Sequence, residues 1–240
     1  MIINLISGPR NVSTALMYSF AQRADTRVID EPFYGYYLYK TGADHPDKQQ
    51  VMKVQPTDAE KVAEEILRDD SDDSVVFIKN MAHHLDGVKK DFLKNVRNIF
   101  LIRDPEAMIL SFIKKIPEPT LQDTAYAQQY RLFRYVTHTL NQQPLVIDSA
   151  ELLKDPENVL NVVCNRLSVD YDENMLHWPA GPIPEDGVWA EHWYGNVHRS
   201  TGFEPYLPPE GRLPEELEPL LEDCQNYYKR LFNHAIKSKY

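Results

Sequence analysis

Residues 7–14 form a short polar stretch whose composition suits the binding of an anionic group. The stretch follows an apolar run, precedes a helical pattern, and consists of Ser7, Gly8, Pro9, Arg10, Asn11, Val12, Ser13 and Thr14. Backbone N–H groups at the start of the helix, the hydroxyls of Ser13 and Thr14 and the Arg10 guanidinium would surround a phosphate or a similar group. The alternative is an ordinary turn followed by a serine or threonine helix cap. The pattern Gly-x-x-x-x-Gly-Lys-Ser/Thr is absent, which disfavours an ordinary ATP or GTP site.

A second candidate anion site combines Arg103 with Ser111. Asp104 can cap a helix and Pro105 suits its first position, so Ser111 falls two turns along that helix. The serine hydroxyl then returns to the side on which Arg103 leaves the preceding strand, and the two groups together can hold one phosphate. The alternative is an arginine at the edge of a sheet and a serine that faces solvent.

Short apolar runs alternate with helical patterns along most of the chain. Five runs predict buried strands, at residues 2–6, 28–29, 75–78, 99–102 and 145–147. Such alternation predicts an α/β fold, a parallel β-sheet flanked by helices on both faces. Ligands of such sheets bind at the carboxyl ends of the strands, and Arg10, Lys79 and Arg103 follow the first, third and fourth strands. This convergence is the main indication of a common site.

The segments between the strands are predicted helices and loops of one domain that spans residues 1–240. Helical patterns occupy residues 13–23, 57–67, 105 onward, 121–141, 155 onward and the C-terminal 214–236. Loops are predicted at 41–56, which is polar and expected to be mobile, at 69–73, an acidic turn, and at 178–214, a region rich in proline and tryptophan.

Composition and charge exclude several classes of protein. The 240 residues are 42% apolar and 26% charged, which is ordinary for a globular chain. A net charge of −10 disfavours general nucleic-acid binding, so an anion site must be a local group of basic residues. No apolar run is long enough to cross a membrane, no targeting signal is recognisable, and the two cysteines give no disulfide framework. We expect a cytoplasmic protein that binds neither nucleic acid nor membranes and holds no metal.

Together these features resemble the PAPS-dependent sulfotransferases, whose donor is 3′-phosphoadenosine 5′-phosphosulfate (PAPS) and whose product nucleotide is PAP. That family binds the 5′-phosphosulfate in a strand-to-helix loop near the N-terminus, where Val12 stands here in place of the usual glycine. It binds the 3′-phosphate through an arginine and a serine eight residues further on, which is the spacing of Arg103 and Ser111. A C-terminal loop closes over the nucleotide, and the matching residues are Arg199, Ser200, Thr201 and Gly202.

The resemblance implies a P-loop-NTPase-like sulfotransferase fold and metal-independent, in-line transfer of a sulfuryl group from PAPS to a hydroxyl or amine of a small-molecule acceptor. It also implies two candidates for the base that takes the acceptor's proton. Cytosolic members use a histidine shortly after the third strand's lysine, and His83 and His84 follow Lys79. The tyrosylprotein sulfotransferases use a glutamate beyond the phosphosulfate loop, and Glu31 has that placement.

We favour Glu31 as the base, because the two histidines come two to three residues later than the family's pattern. The histidines then have room to turn away from the site, and Lys79 resembles the lysine that assists the leaving group. The alternatives are a surface histidine pair and a purely structural carboxylate. The aromatic residues at 33–39, with Trp189 and Trp193, either wall the acceptor site or pack helices onto the sheet.

Two other functions fit parts of the pattern. A P-loop nucleotide or small-molecule kinase would need a lysine followed by serine or threonine at the loop's end and an acid to hold Mg²⁺, and neither is recognisable. A non-catalytic nucleotide-binding relative is suggested by Val12, whereas the retained basic and hydroxyl residues favour an enzyme. The sequence leaves the acceptor and the oligomeric state open.

Overall fold

The computed structural model describes residues 1–68 and 74–239 and is built around one parallel sheet. Within these ranges the sheet has six strands in the order β2-β3-β1-β4-β5-β6. The strands are β1 (Ile2–Ser7), β2 (Thr26–Asp30), β3 (Val75–Met81), β4 (Arg97–Ile102), β5 (Leu145–Asp148) and β6 (Ala235–Ile236). The predicted α/β fold is confirmed. The added strand β6 has two residues, too few to show a pattern in the sequence.

Helices surround the sheet and connect its strands. The α-helices are α1 (Ser13–Ala21), α2 (Tyr34–Thr41), α3 (Lys48–Val54), α4 (Ala59–Leu67), α5 (Pro105–Phe112), α6 (Leu121–Thr124), α7 (Tyr126–Arg134), α8 (Ser149–Lys154), α9 (Pro156–Leu167), α10 (Ala190–Trp193) and α11 (Glu218–Phe232). Short 3-10 turns include Ala82–Leu85, directly after β3. None of the helices in the described ranges is long and apolar enough to cross a bilayer.

Strand β1 is buried on both faces, which explains its nearly continuous apolar sequence. Leu5 packs in the core cluster that contains α1 and α9 residues, and Ile6 packs in the cluster on the opposite face. Strand β3 lies on one side of β1 and β4 on the other. The chain therefore changes direction across the sheet at β1, and a crevice for ligands is expected at the carboxyl end of that strand.

The predicted loop at 41–56 is wrong for its second half, which forms α3. The helix is anchored because Val51 is fully buried in the core and Met52 packs against the same cluster. Gln55 follows the helix and donates from Nε2 to the backbone carbonyl of Glu31 at 3.1 Å. A segment expected to be mobile thus supports a candidate catalytic residue. The predicted acidic turn at 69–73 lies outside the described residues.

The predicted helix at 121–141 is divided into α6, α7 and a π-helical turn at Tyr135–Thr139. The division occurs at Ala125, which has a φ of 64° and so cannot continue a right-handed helix. Gln129 of α7 donates from Nε2 to the carbonyls of Ile6 and Leu101, at the ends of β1 and β4. The break therefore directs α7 onto the carboxyl edge of the sheet.

Candidate active site

A cleft opens at the carboxyl ends of β1, β2 and β3, at the edge where the sequence predicts a common site. The loop after β1, the ends of β2 and β3, and residues 189–194 border this cleft. Its lining consists of Gly8, Pro9, Arg10, Asn11, Ser13, Thr14, Glu31, Tyr34, Tyr37, His45, Lys79, Met81, His83, His84, Phe112, Ile116, Gln122, Asp123, Trp189, Trp193 and Tyr194. Both candidates for the base therefore share one cleft with the loop that was predicted to bind an anion.

Two guanidinium groups meet at the anion-binding loop. Arg10 Nε donates to Ser111 Oγ at 3.1 Å, and Arg103 donates to the backbone carbonyl of Arg10. Within the described residues neither guanidinium forms an ion pair with a carboxylate. Burial lowers the pKa of both arginines, and the nearby charge of Arg10 also lowers the pKa of Arg103. Two partly buried cations without a carboxylate partner can attract an anion to the loop after β1. Arg10 lines the cleft there, whereas Arg103 and Ser111 lie behind Arg10 and outside the cleft lining.

The start of α1 can contribute backbone N–H groups to the same anion. Val12 precedes the helix and has no side-chain atom that could accept from the first N–H groups. Asn11 holds the loop in place, because its Nδ2 donates to the Leu101 carbonyl at 2.9 Å and its Oδ1 accepts from the Val12 N–H at 2.8 Å. Gly8 is required by close packing, since a β-carbon there would lie 3.2 Å from the Thr124 carbonyl oxygen.

Two non-glycine residues of the cleft have a left-handed backbone, Arg10 with a φ of 52° and Glu31 with a φ of 43°. Such conformations cost about 1–3 kcal/mol each, and residues that adopt them cluster at functional sites. Val12, by contrast, has a φ of −85°, which any residue adopts readily. The valine in place of the family's usual glycine is therefore compatible with this loop.

Glu31 belongs to a buried network of four polar groups at the end of β2. Strand register places Asp30 beside Lys79, and Lys79 Nζ donates to Asp30 Oδ1 at 2.9 Å, to Glu31 Oε1 at 2.6 Å and to the Tyr194 hydroxyl. Burial raises the pKa of Glu31, while the Lys79 ammonium counteracts part of that rise. Burial also opposes the charge on Lys79, but Asp30 and Glu31 outweigh it and raise the pKa of the ammonium. The network therefore holds a lysine cation between two carboxylates.

The histidine pair also faces the cleft, so the expectation that it turns away from the site is wrong. His84 is 2% exposed, and its Nδ1 lies 3.6 Å from Glu31 Oε2, which is too far for a hydrogen bond. Its ring stacks on Tyr34, with 4.7 Å between the ring centroids. Burial lowers the pKa of His83 to about 4 and that of His84 well below its ordinary value. Both rings are therefore neutral at physiological pH.

The sulfotransferase-domain family model matches residues 1–235 of the chain. This protein is a member of the sulfotransferase domain family. Membership and fold support a sulfotransferase enzyme. The arginine-containing loop and the buried carboxylate of the cleft agree with that class of enzyme. Two relatives from Arabidopsis thaliana bear the names branched-chain-amino-acid aminotransferase-like protein 1 and protein 2, and each is 35% identical over 99% and 97% of this chain, respectively. The chain spans 42% of the length of each.

Solved sulfotransferase domains share this fold. The domain from the Synechococcus PCC 7002 olefin synthase has a TM-score of 0.61 at 18% identity and aligns with 95% of this chain and 94% of its own length. The domain from the curacin biosynthetic pathway has a TM-score of 0.55 at 17% identity, covering 96% and 97%. An Alicyclobacillus acidocaldarius sulfotransferase has a TM-score of 0.55 at 10% identity, covering 98% and 96%. At these identities the likeness concerns the fold.

Residues 199–202 lie outside the lining of this sulfotransferase cleft. Ser200 is buried, accepts from Trp178 Nε1 at 3.1 Å and donates to the Val197 carbonyl at 2.9 Å, so its hydroxyl serves the packing of the loop. Arg199 is exposed and donates to Asn196. Their assignment to the donor nucleotide stays a prediction from the family resemblance.

The sequence did not indicate several residues that lie in or beside this cleft. Asp30 is adjacent to Glu31, and its position at the end of a strand was the one available signal. His45 received no role, yet its Nδ1 lies 2.8 Å from the Tyr34 hydroxyl at the cleft wall. No local sequence pattern pointed to Tyr194, because it reaches the network from an irregular segment 164 residues beyond Asp30. In the described residues no group of three or more His, Cys, Asp or Glu is arranged to hold a metal ion.

Proposed function

We propose that the protein transfers the sulfuryl group of PAPS to a hydroxyl or amine of a small acceptor and releases PAP. One observation carries the proposal: the Arg10 guanidinium, which has no carboxylate partner among the described residues, lines a cleft whose wall holds the buried Glu31 carboxylate, and Arg103 donates to the Arg10 carbonyl. The first feature suits a donor with several phosphate oxygens. The second suits the removal of a proton from an acceptor.

In this proposal the donor occupies the end of the cleft near α1. Arg10, the hydroxyls of Ser13 and Thr14, and the N–H groups at the start of α1 hold the 5′-phosphosulfate. Arg103 and Ser111 hold the 3′-phosphate, and the contact between Arg10 and Ser111 supports this assignment because it brings the two phosphate sites together. No metal is needed for charge, since the guanidinium groups supply it.

The transfer step joins the acceptor atom to sulfur and breaks the bond between sulfur and the bridging oxygen of the 5′-phosphate. The electron pair of that bond stays with PAP, where Arg10 stabilises the negative charge. The proton of the acceptor passes to Glu31. Lys79 uses its three hydrogens on Asp30, Glu31 and Tyr194, so we assign to it the positioning of Glu31 in place of direct assistance to the leaving group.

Burial supports the choice of Glu31 over the histidine pair. A low-dielectric environment disfavours the charged form of any group, so it makes a carboxylate a stronger base and an imidazole a weaker one. The pKa of Glu31 is raised by burial, whereas burial lowers the pKa of His83 to about 4. In one and the same cleft the carboxylate is therefore the better proton acceptor.

The direct test is acceptor-dependent release of PAP from PAPS, assayed with a panel of small phenols, alcohols and amines. Calorimetry with PAP and with Mg²⁺–ATP distinguishes a sulfotransferase from a nucleotide kinase. The proposed function expects tight binding of PAP and weak binding of Mg²⁺–ATP. Preferential binding of Mg²⁺–ATP would contradict it.

Activity is expected to survive removal of divalent cations. Arg10 supplies positive charge inside the cleft and Arg103 supplies it beside the loop, and the adjacent carboxylates of Asp30 and Glu31 are already paired with Lys79. Turnover of PAPS in the presence of EDTA should therefore equal turnover in added Mg²⁺. A loss in EDTA that Mg²⁺ restores would assign the protein to metal-dependent group transfer.

A further inference from the structure

The hydroxyl of Tyr194 contacts four polar groups in and around the buried network. It accepts from Lys79 Nζ and from Trp189 Nε1, the latter at 3.0 Å. It also lies 2.8 Å from Asp30 Oδ2 and 3.4 Å from Glu31 Oε1. The tyrosine and the tryptophan both come from the proline- and tryptophan-rich segment, to which the proposed function gives no role.

The position of the tyrosine's own hydrogen follows from its partners. An ammonium and an indole N–H only donate, so the hydroxyl hydrogen of Tyr194 must point to a carboxylate. Asp30 is 0.6 Å closer to the hydroxyl than Glu31 is, at 2.8 Å against 3.4 Å. Tyr194 therefore donates to Asp30.

The two carboxylates that share Lys79 are consequently unequal. Asp30 accepts from Lys79 at 2.9 Å, from Tyr194 at 2.8 Å and from the Gly187 N–H at 3.2 Å. Among the described residues Glu31 accepts a short hydrogen bond only from Lys79, on Oε1, and its Oε2 lies beyond hydrogen-bond distance of His84. Three donors therefore face Asp30 and one close donor faces Glu31, so Glu31 is the member of the pair whose oxygens keep room to accept a proton.

We infer that Tyr194 is a positioning residue that holds the negative charge on Asp30 and thereby makes Glu31 the proton-accepting member of the pair. The inference rests on the proposed role of Glu31 as base. The hydroxyl acts through Asp30, because the fixed negative charge of Asp30 raises the proton affinity of its neighbour. The segment that carries Tyr194 thus contributes to the base without touching the acceptor.

The groups that face the pair come from several elements. They are Lys79 of β3, His84 of the turn after β3, Tyr34 of α2, Tyr18 of α1 and Tyr194. Burial lowers the pKa of His84 and raises the pKa of Tyr34 and of Tyr18, so all three are neutral at physiological pH. Among the described residues Lys79 is therefore the one cation in contact with the pair.

Two substitutions should move the acidic limb of the pH profile of kcat/KM in opposite directions. Tyr194→Phe removes a donor from the doubly ionised pair, so the pair binds a proton more readily and the limb should move up by about one pH unit. Asp30→Asn removes the neighbouring negative charge, so Glu31 binds a proton less readily and the limb should move down by about one unit or more. A titration of ¹³C-labelled carboxyl groups in the PAP-bound protein should show the same two shifts without any acceptor.

Tyr18→Phe is the matched control. Tyr18 is also buried and faces the pair, but its hydroxyl donates to Asp186 at 2.6 Å, so it anchors the same segment without donating a hydrogen bond to either carboxylate. This variant should leave the acidic limb at the wild-type pH, whatever its plateau rate. Equal shifts in Tyr18→Phe and Tyr194→Phe, or an unmoved limb and unmoved carboxyl titration in Tyr194→Phe, would overturn the role of Tyr194. Full turnover in Glu31→Gln would instead overturn the proposed base, so the two failures are distinguishable.

Discussion

Replacing Glu31 by glutamine is expected to lower turnover by about 10²–10⁴-fold, the usual contribution of a positioned general base. The amide keeps the size of the side chain but cannot accept the acceptor's proton. Affinity for PAP should stay nearly unchanged, because the basic residues assigned to the nucleotide belong to the other end of the cleft. Steady-state kinetics with a verified acceptor, together with calorimetry for PAP, measure both quantities.

His83→Ala and His84→Ala are the controls for this prediction, and each should lose far less activity than Glu31→Gln. Both imidazoles are neutral and weakly basic in their buried positions. The ranking of the three variants decides the matter. A greater loss in either histidine variant would assign the protein mechanistically to the histidine-using branch of the family. Retained turnover in all three would mean that the acceptor brings its own deprotonated group.

Replacing Arg103 by alanine is expected to remove most of the preference for PAP over AMP. The two nucleotides differ by the 3′-phosphate, and a charge-assisted contact to a phosphate contributes about 1.5–3 kcal/mol, or about 10- to 150-fold in affinity. Arg103 is free of any carboxylate partner within the described residues, so its charge is available to the nucleotide. Calorimetry with each nucleotide on wild type and variant measures the ratio.

Arg131→Ala is a suitable control for the loss of one positive charge. Arg131 is exposed on α7 and already pairs with Asp86 at 3.2 Å, whereas Arg103 has no ion-pair partner among the described residues. This variant should keep the wild-type ratio of PAP to AMP affinity. Equal affinity for the two nucleotides in the wild-type protein would contradict the assignment of Arg103 and Ser111 to a 3′-phosphate.

Local patterns carried the prediction of the sheet, because each buried parallel strand is a short apolar run that needs no information from its neighbours. The same holds for the helix after β4, where Asp104 caps and Pro105 begins α5 as predicted. Prediction failed where a distant contact overrides the local pattern. Helix α3 is short and mixed in polarity and is fixed by the burial of Val51, and the division of the 121–141 helix depends on the backbone of Ala125.

The sequence by itself predicted a basic residue at the end of three strands and placed Ser111 two helical turns beyond Asp104. Arg10 and Arg103 do follow β1 and β4, whereas Lys79 lies inside β3 because that strand continues to Met81. Since strand ends of a parallel sheet meet at one edge, these facts were sufficient to predict a common site. Only the tertiary structure decided how the acids and bases of that site are paired. Asp30 meets Lys79 through strand register, and Tyr194 reaches both from an irregular segment 164 residues beyond Asp30. Burial then raises the pKa of Glu31 and lowers that of His84, an effect of the surrounding protein that no local spacing encodes.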